Sequence, residues 1–202
     1  MYTQSGSSAY LRLTQLFEVV PTMPCRLFEG SQMTFIDTSK VKNFNKIMNY
    51  SRFFYSGSYL RDVILDLNEE AENLQSMFMY CTRLVTVTGK NGKIFGNTVT
   101  NIGSMFYNCI CLQEINGTMD FSGIMTMPAA FYSCYNLSMD IDRIQNSLDF
   151  DYLSDTMEAF YNCKKLYGTF NMDIWLNIGA DNYPLSNYKD TFIGCIGLTN
   201  YI

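Results

Sequence analysis

Histidine is absent from this chain. Its absence removes the side chain that most often serves as a general base near neutral pH. It also removes the Ser-His-Asp and Cys-His arrangements and every His-containing zinc site. No run of like charges occurs, and 14 Lys and Arg stand against 19 Asp and Glu for a net charge of −5. Phosphate binding needs clustered cations, so no nucleic-acid partner is expected. No segment reaches the ~18–20 continuous apolar residues of a membrane span. The opening MYTQSGSSAY lacks the basic start and apolar stretch of a signal peptide. Either export does not use that route, or the chain is a fragment or a mature form.

What is present is apolar and repetitive. Of the 202 residues, 48% are hydrophobic and 15% aromatic, enough for a packed core in one domain or two small ones. The stretch AFYNCKKL at 159–166 recurs as MFMYCTRL (77–84), MFYNCICL (105–112), AFYSCYNL (130–137) and TFIGCIGL (191–198). Aligned on the last residue, the motif gives a column Leu84, Leu112, Leu137, Leu166 and Leu198, which extends upstream to Leu60, Met33 and Leu11. The steps are 22, 27, 24, 28, 25, 29 and 32 residues. This spacing predicts one repeat domain over residues 1–202, with about eight units of which the first is incomplete, built as a right-handed solenoid.

Other columns keep the register. Three residues after the Leu stand Ile36, Val63, Val87 and Ile115, displaced by one place to Ile141 and Phe170 in later units. The displacement predicts a bulge or register shift. LRDVILDL (60–67) and LVTVTG (84–89) read as short strands. The pairs Leu74/Phe78, Ile102/Phe106 and Met127/Phe131 are spaced i, i+4, which predicts one or two helical turns or a compact loop leading into each motif. GKNGK (89–93) carries an Asn-Gly turn signal and predicts a small hairpin.

The cysteine place of the motif reads Ser8, Gly30, Gly57, Cys81, Cys109, Cys134, Cys163 and Cys195. Glycine cannot ligate metal, form a disulfide or attack as a nucleophile, so what these residues share is small size. Free cysteine behaves as a small buried hydrophobe, and a stacked structural plug is the expected role. Metal ligation would call for C-x-x-C pairs, and only Cys109 and Cys111 stand close, as C-x-C. Seven cysteines spread over successive units argue against a disulfide staple. Cys25 and Cys111 lie outside the column and are the expected reactive thiols if exposed. No cofactor or metal is expected.

The run NIGSMFYNCICLQEI (101–115) resembles the BspA-like leucine-rich repeat, also called the Treponema-type repeat, and FIDTSKVKNFNKIM (35–48) resembles its Asp-Thr-Ser-x-Val-x-Asn segment. The match is specific in five units and spans most of the chain. It implies a leucine-rich-repeat solenoid of α/β type, with short parallel strands on one face and loops and short helical turns on the other. It further implies adhesion or binding modules of bacterial and protist surface proteins and of phage-encoded proteins, hence a cell-surface, extracellular or virion setting. The uneven unit lengths imply an interrupted sheet.

On this reading the chain is a non-enzymatic binding, adhesion or scaffold module for a protein or glycan ligand. Its outward strand positions, two and four after the Leu, are Asp62, Ile64, Thr86, Thr88, Glu114 and Asn116. The alternative is a structural component of a larger assembly such as a phage virion. Leu198, Tyr201 and Ile202 would then form an edge buried against another chain, with Leu11 and Leu13 as a second edge. An enzyme is the weakest reading. The acidic pairs Asp140/Asp142 and Asp149/Asp151 lack a nucleophile–base partner and lack the ordered spacing of a calcium loop.

Overall fold

Leu74 and Ser76 send their backbone N–H groups to the carbonyls of Asn101 and Gly103, and Phe78 and Tyr80 send theirs to Met105 and Tyr107, all at 2.8–2.9 Å. Between them, the N–H groups of Met77, Met79 and Cys81 turn back to carbonyls three residues earlier in their own coil. This alternation recurs from coil to coil and stacks the chain into a solenoid of parallel rungs. The computed structural model describes residues 31–171, 174–175 and 187–199. Within them, Asn49, Asn73, Asn101, Thr126, Asp155 and Asn187 pair in a parallel series that marks six successive rungs.

The alternation has a local conformational cause. Two residues before and two after each motif Phe the backbone is left-handed, as at Ser76 (φ 55°) and Tyr80 (φ 64°) around Phe78. The same holds at Arg52/Ser56, Ser104/Asn108, Ala129/Ser133, Glu158/Asn162 and Asp190/Gly194. A non-glycine residue in this region costs roughly 1–2 kcal/mol, and the hydrogen bonds to the next rung offset that cost. The left-handed residues also break the i→i−4 pattern of a helix. Of the two expectations for this segment, helical turns or a compact loop, the structure has the second, a chain of tight turns. Leu74 and Phe78 both point inward because of turn geometry, not helical pitch. The short helical pieces occur instead in the segments that follow strands: α1 (Asp142–Gln145) and single 3₁₀ turns at Thr38–Lys40, Phe44–Lys46 and Phe121–Gly123. Asp37 and Asp120 start two of these by accepting the N–H and hydroxyl of Ser39 and Ser122.

Strands stand on the other side of each rung. β1 (Phe35–Asp37), β2 (Asp62–Leu65), β3 (Thr86–Phe95) and β4 (Glu114–Met119) form one parallel sheet, and β5 (Met139–Asp140), β6 (Leu166–Thr169) and β7 (Leu198–Thr199) form a second. In the first sheet Ile36, Val63, Val87 and Ile115 are in register and face inward, as expected. β3 pairs with β2 as far as Gly89, loses its pairing with β4 after Thr88 and resumes it at Lys93 opposite Thr118. Asn91 (φ 58°) and Gly92 (φ 75°) make the tip of this excursion, the left-handed pair that an Asn-Gly turn demands. The sheet is interrupted after β4, and in the second sheet Met139 pairs with Leu166 and Gly168 with Leu198, a two-residue offset from the first. Asp140 accepts the N–H of Asp142 and turns the chain into α1, which ends β5 after two residues. Ile141 and Phe170 are buried at this break.

The core lies between strands and turns. Phe54, Phe78, Phe106, Phe131, Phe160 and Phe192 form one continuous stack with ring centroids 5.0–5.4 Å apart. The column leucines flank it, buried throughout from Leu60 to Leu198. Burying each Phe or Leu contributes about 1.5–3 kcal/mol. The last ring is covered by Phe170 and Trp175, each 4.9 Å from Phe192. No helix among the described residues is long and apolar enough to cross a membrane.

Candidate functional site

The outward strand residues meet in two rows. Asp62, Thr86 and Glu114 are in register, with Phe35 beside Asp62, and Ile64, Thr88 and Asn116 form the parallel row beside Asp37. The Thr86 hydroxyl donates to the Asp62 carboxylate at 2.6 Å, and the Asn116 amide donates to Glu114 at 3.4 Å. Glu114 and Asn116 are exposed, and the other four are half-buried. All six expected face residues therefore lie together on one sheet. Beside them, the β3 excursion roofs a cleft of about 220 Å³ lined by Asp66, Asn68, Lys90, Lys93 and Phe95. Its mouth is bridged by the Lys90–Asp66 ion pair at 2.9 Å.

A second face was missed. On the turn side Tyr55, Tyr80, Tyr107, Tyr132 and Tyr161 form a line along the rungs, with centroids 5.9, 5.5, 4.6 and 4.8 Å apart. The last three rings are stacked within 11° of parallel. Every ring is half-buried. Four of the five follow a motif Phe directly, while Tyr80 comes one place later. The signal was therefore in the alignment, in a place read as variable. Among the described residues, no protein group hydrogen-bonds the hydroxyls of Tyr80, Tyr107, Tyr132 or Tyr161. Burial raises the Tyr107 and Tyr132 phenols above their usual range, and neighbouring phenols and the Glu158 carboxylate add to the rise. The hydroxyls thus lie close enough to sense one another.

The cysteine column is interior and does more than fill space. Cys81, Cys109, Cys134, Cys163 and Cys195 are free, fully buried thiols. Each donates from Sγ to the carbonyl of the motif Phe one rung earlier, at 3.0–3.2 Å. Gly57 continues the column: a Cβ built there would stand 3.4 Å from the Cys81 sulfur. Burial pushes the Cys81 and Cys195 thiols up to about 12 and raises the other three as well. A thiol held protonated is a poor nucleophile and a poor metal ligand. Ser8, Gly30 and Cys25 lie outside the described residues, and Cys111 is half-buried.

The remaining sequence candidates are local. Asp140 and Asp149 accept N–H groups from Asp142 and Asp151, so each acidic pair closes its own turn. Among the described residues no group of three or more Cys, Asp or Glu side chains is placed to hold a metal ion. Leu198 is 8% exposed within the single chain. Its burial comes from the core behind the motif. Leu11, Leu13, Tyr201 and Ile202 lie outside the described residues. The exposed apolar groups of the 187–199 rung are instead Tyr188 (65%), Ile193 (42%) and Ile196 (79%).

No family model, no curated protein and no solved structure matches this chain.

Proposed function

We propose that this chain is a non-enzymatic binding or adhesion module of the BspA-like leucine-rich-repeat type, recognising a protein or glycan through its repeat surface. The observation that carries the reading is the separation of labour within each rung. The inward columns hold the solenoid together, while the rows Asp62–Thr86–Glu114 and Ile64–Thr88–Asn116 and the tyrosine line add surface that no core contact constrains. Repeat folds use such surfaces for recognition. The fold alone does not name a ligand, so the argument rests on these faces.

The test is an array of immobilised proteins and glycans probed with the wild-type chain, a Thr86→Lys/Glu114→Lys variant and a Tyr107→Ala/Tyr132→Ala variant. Binding that one surface variant loses and the buried Cys134→Ala variant keeps is the expected outcome. No binding to any array member, or binding unaffected by both surface variants, sinks the reading.

A second reading, a structural component of a larger assembly such as a phage virion, is supported by the exposure of Tyr188, Ile193 and Ile196 on one rung. On that reading the wild-type chain runs above its monomer mass in light scattering, and the Ile193→Lys/Ile196→Lys variant runs at a lower mass.

A further inference from the structure

We infer that the tyrosine line Tyr80–Tyr107–Tyr132–Tyr161 is a binding site for a neutral β-linked polysaccharide lying along the solenoid axis, one sugar per rung. This deepens the binding-module reading and rests on it.

Three observations point to this ligand. The first is spacing: successive rings stand 5.5, 4.6 and 4.8 Å apart. A β-linked pyranose chain advances per sugar by one six-membered ring and its bridging oxygen, about 5 Å for single bonds of ~1.5 Å. The second is chemistry. Tyr107, Tyr132 and Tyr161 turn their faces to one another and leave their edges to a ligand, and the phenols of the line both donate and accept while holding no protein partner among the described residues. A sugar hydroxyl does the same. Asn108 and Asn162, both half-buried, stand next to Tyr107 and Tyr161 and extend the uncharged polar character of the line. The third is charge. Glu158 belongs to the Tyr161 rung and makes no ion pair among the described residues, so an anionic polymer would be repelled there and a neutral one would not.

The line is also preorganised. Each ring is half-buried, and Tyr80, Tyr107 and Tyr132 are held between two neighbours, so little side-chain freedom is lost on binding.

The experiment is calorimetric titration of the intact chain with neutral β-1,4-linked glucan oligosaccharides of two to six sugars, with β-1,3-glucan and β-1,4-mannan series alongside. At least one series binds, and its affinity rises with length through four or five sugars and then levels off. Tyr132→Ala weakens the longest ligand by about tenfold or more. Tyr132→Phe keeps the stack and the fold, removes only the hydroxyl, and weakens it several-fold. Tyr152→Ala, an exposed tyrosine off the line, changes nothing. Absence of binding in all three series overturns the inference, as do affinity independent of length and an equal loss in Tyr152→Ala. A protein ligand from the array that Tyr132→Ala abolishes, with no glycan bound, would overturn the glycan and leave the binding module standing.

Discussion

The thiol of Cys134 donates to the carbonyl oxygen of Phe106, one rung earlier, at 3.2 Å. That same oxygen already accepts the N–H of Cys109 at 3.0 Å. The sulfur is therefore a second donor to a satisfied acceptor, and its removal orphans nothing. Cys134→Ala is expected to cost about 1 kcal/mol, the worth of a small buried group and a weak bond. Cys134→Leu forces a larger side chain into a position with 0% exposure and is expected to cost about 1–3 kcal/mol or more. Urea unfolding of the two variants checks the order; equal midpoints would contradict it.

The buried thiols make the protein sensitive to alkali. Burial lifts the Cys81 thiol from its ordinary value of 9.0 to about 12. Below pH 9 both folded and unfolded states keep this proton. Between about 9 and 12 only the folded state keeps it, so stability falls as pH rises, by about 1.4 kcal/mol per pH unit for this thiol. Above that window the loss is complete. Cys81→Ala is expected to flatten the stability-against-pH curve by that slope between pH 9 and 11. A parallel curve would show that Cys81 ionises as readily folded as unfolded.

Gln145 holds the last two rungs' connection together. Its amide nitrogen donates to Asp142 and to the Thr169 carbonyl, and its oxygen accepts from Asn171 N–H and Trp175 Nε1. Gln145→Leu strips partners from the buried indole and carbonyl and is expected to cost about 1–3 kcal/mol. Trp175 is the single tryptophan of the chain, so its emission reports the change directly. A red shift at unchanged far-ultraviolet circular dichroism is the expected result. An unshifted spectrum and unchanged midpoint would show that the network is dispensable.

The repeat was legible because burial has a period. The columns through Phe78, Leu84 and Val87 recur in every described rung or in every strand of the first sheet, and apolar residues in fixed places announce an inward face. The outward rows followed by alternation from Val63 and Val87. The turns were not legible, because Ser, Asn, Ala and Glu at Ser104, Asn108, Ala129 and Glu158 do not declare a left-handed backbone as glycine would. Apolar i, i+4 spacing therefore leaves helical turns and a compact loop equally open. The tyrosine line was hidden for another reason: its rings, including the displaced Tyr80, touch across 25 to 29 residues of sequence, and only the stacked rungs bring them together. The two-residue length of β5 depends on one side-chain contact, Asp140 to the Asp142 N–H, that no column of the repeat announces.

The excursion of β3 between Thr88 and Lys93 carries a wider consequence. The chain departs from the sheet, makes its turn, and rejoins β4 with Lys93 opposite Thr118. Rung lengths range from 24 residues, Asn49 to Asn73, to 32, Asp155 to Asn187, yet one ring stack runs through them all. The clamp of turns and rings sets the pitch, and the seam that leads back to the next clamp absorbs the difference. A lineage built on this plan can diversify by lengthening its seams as readily as by swapping side chains, with its backbone pitch unchanged.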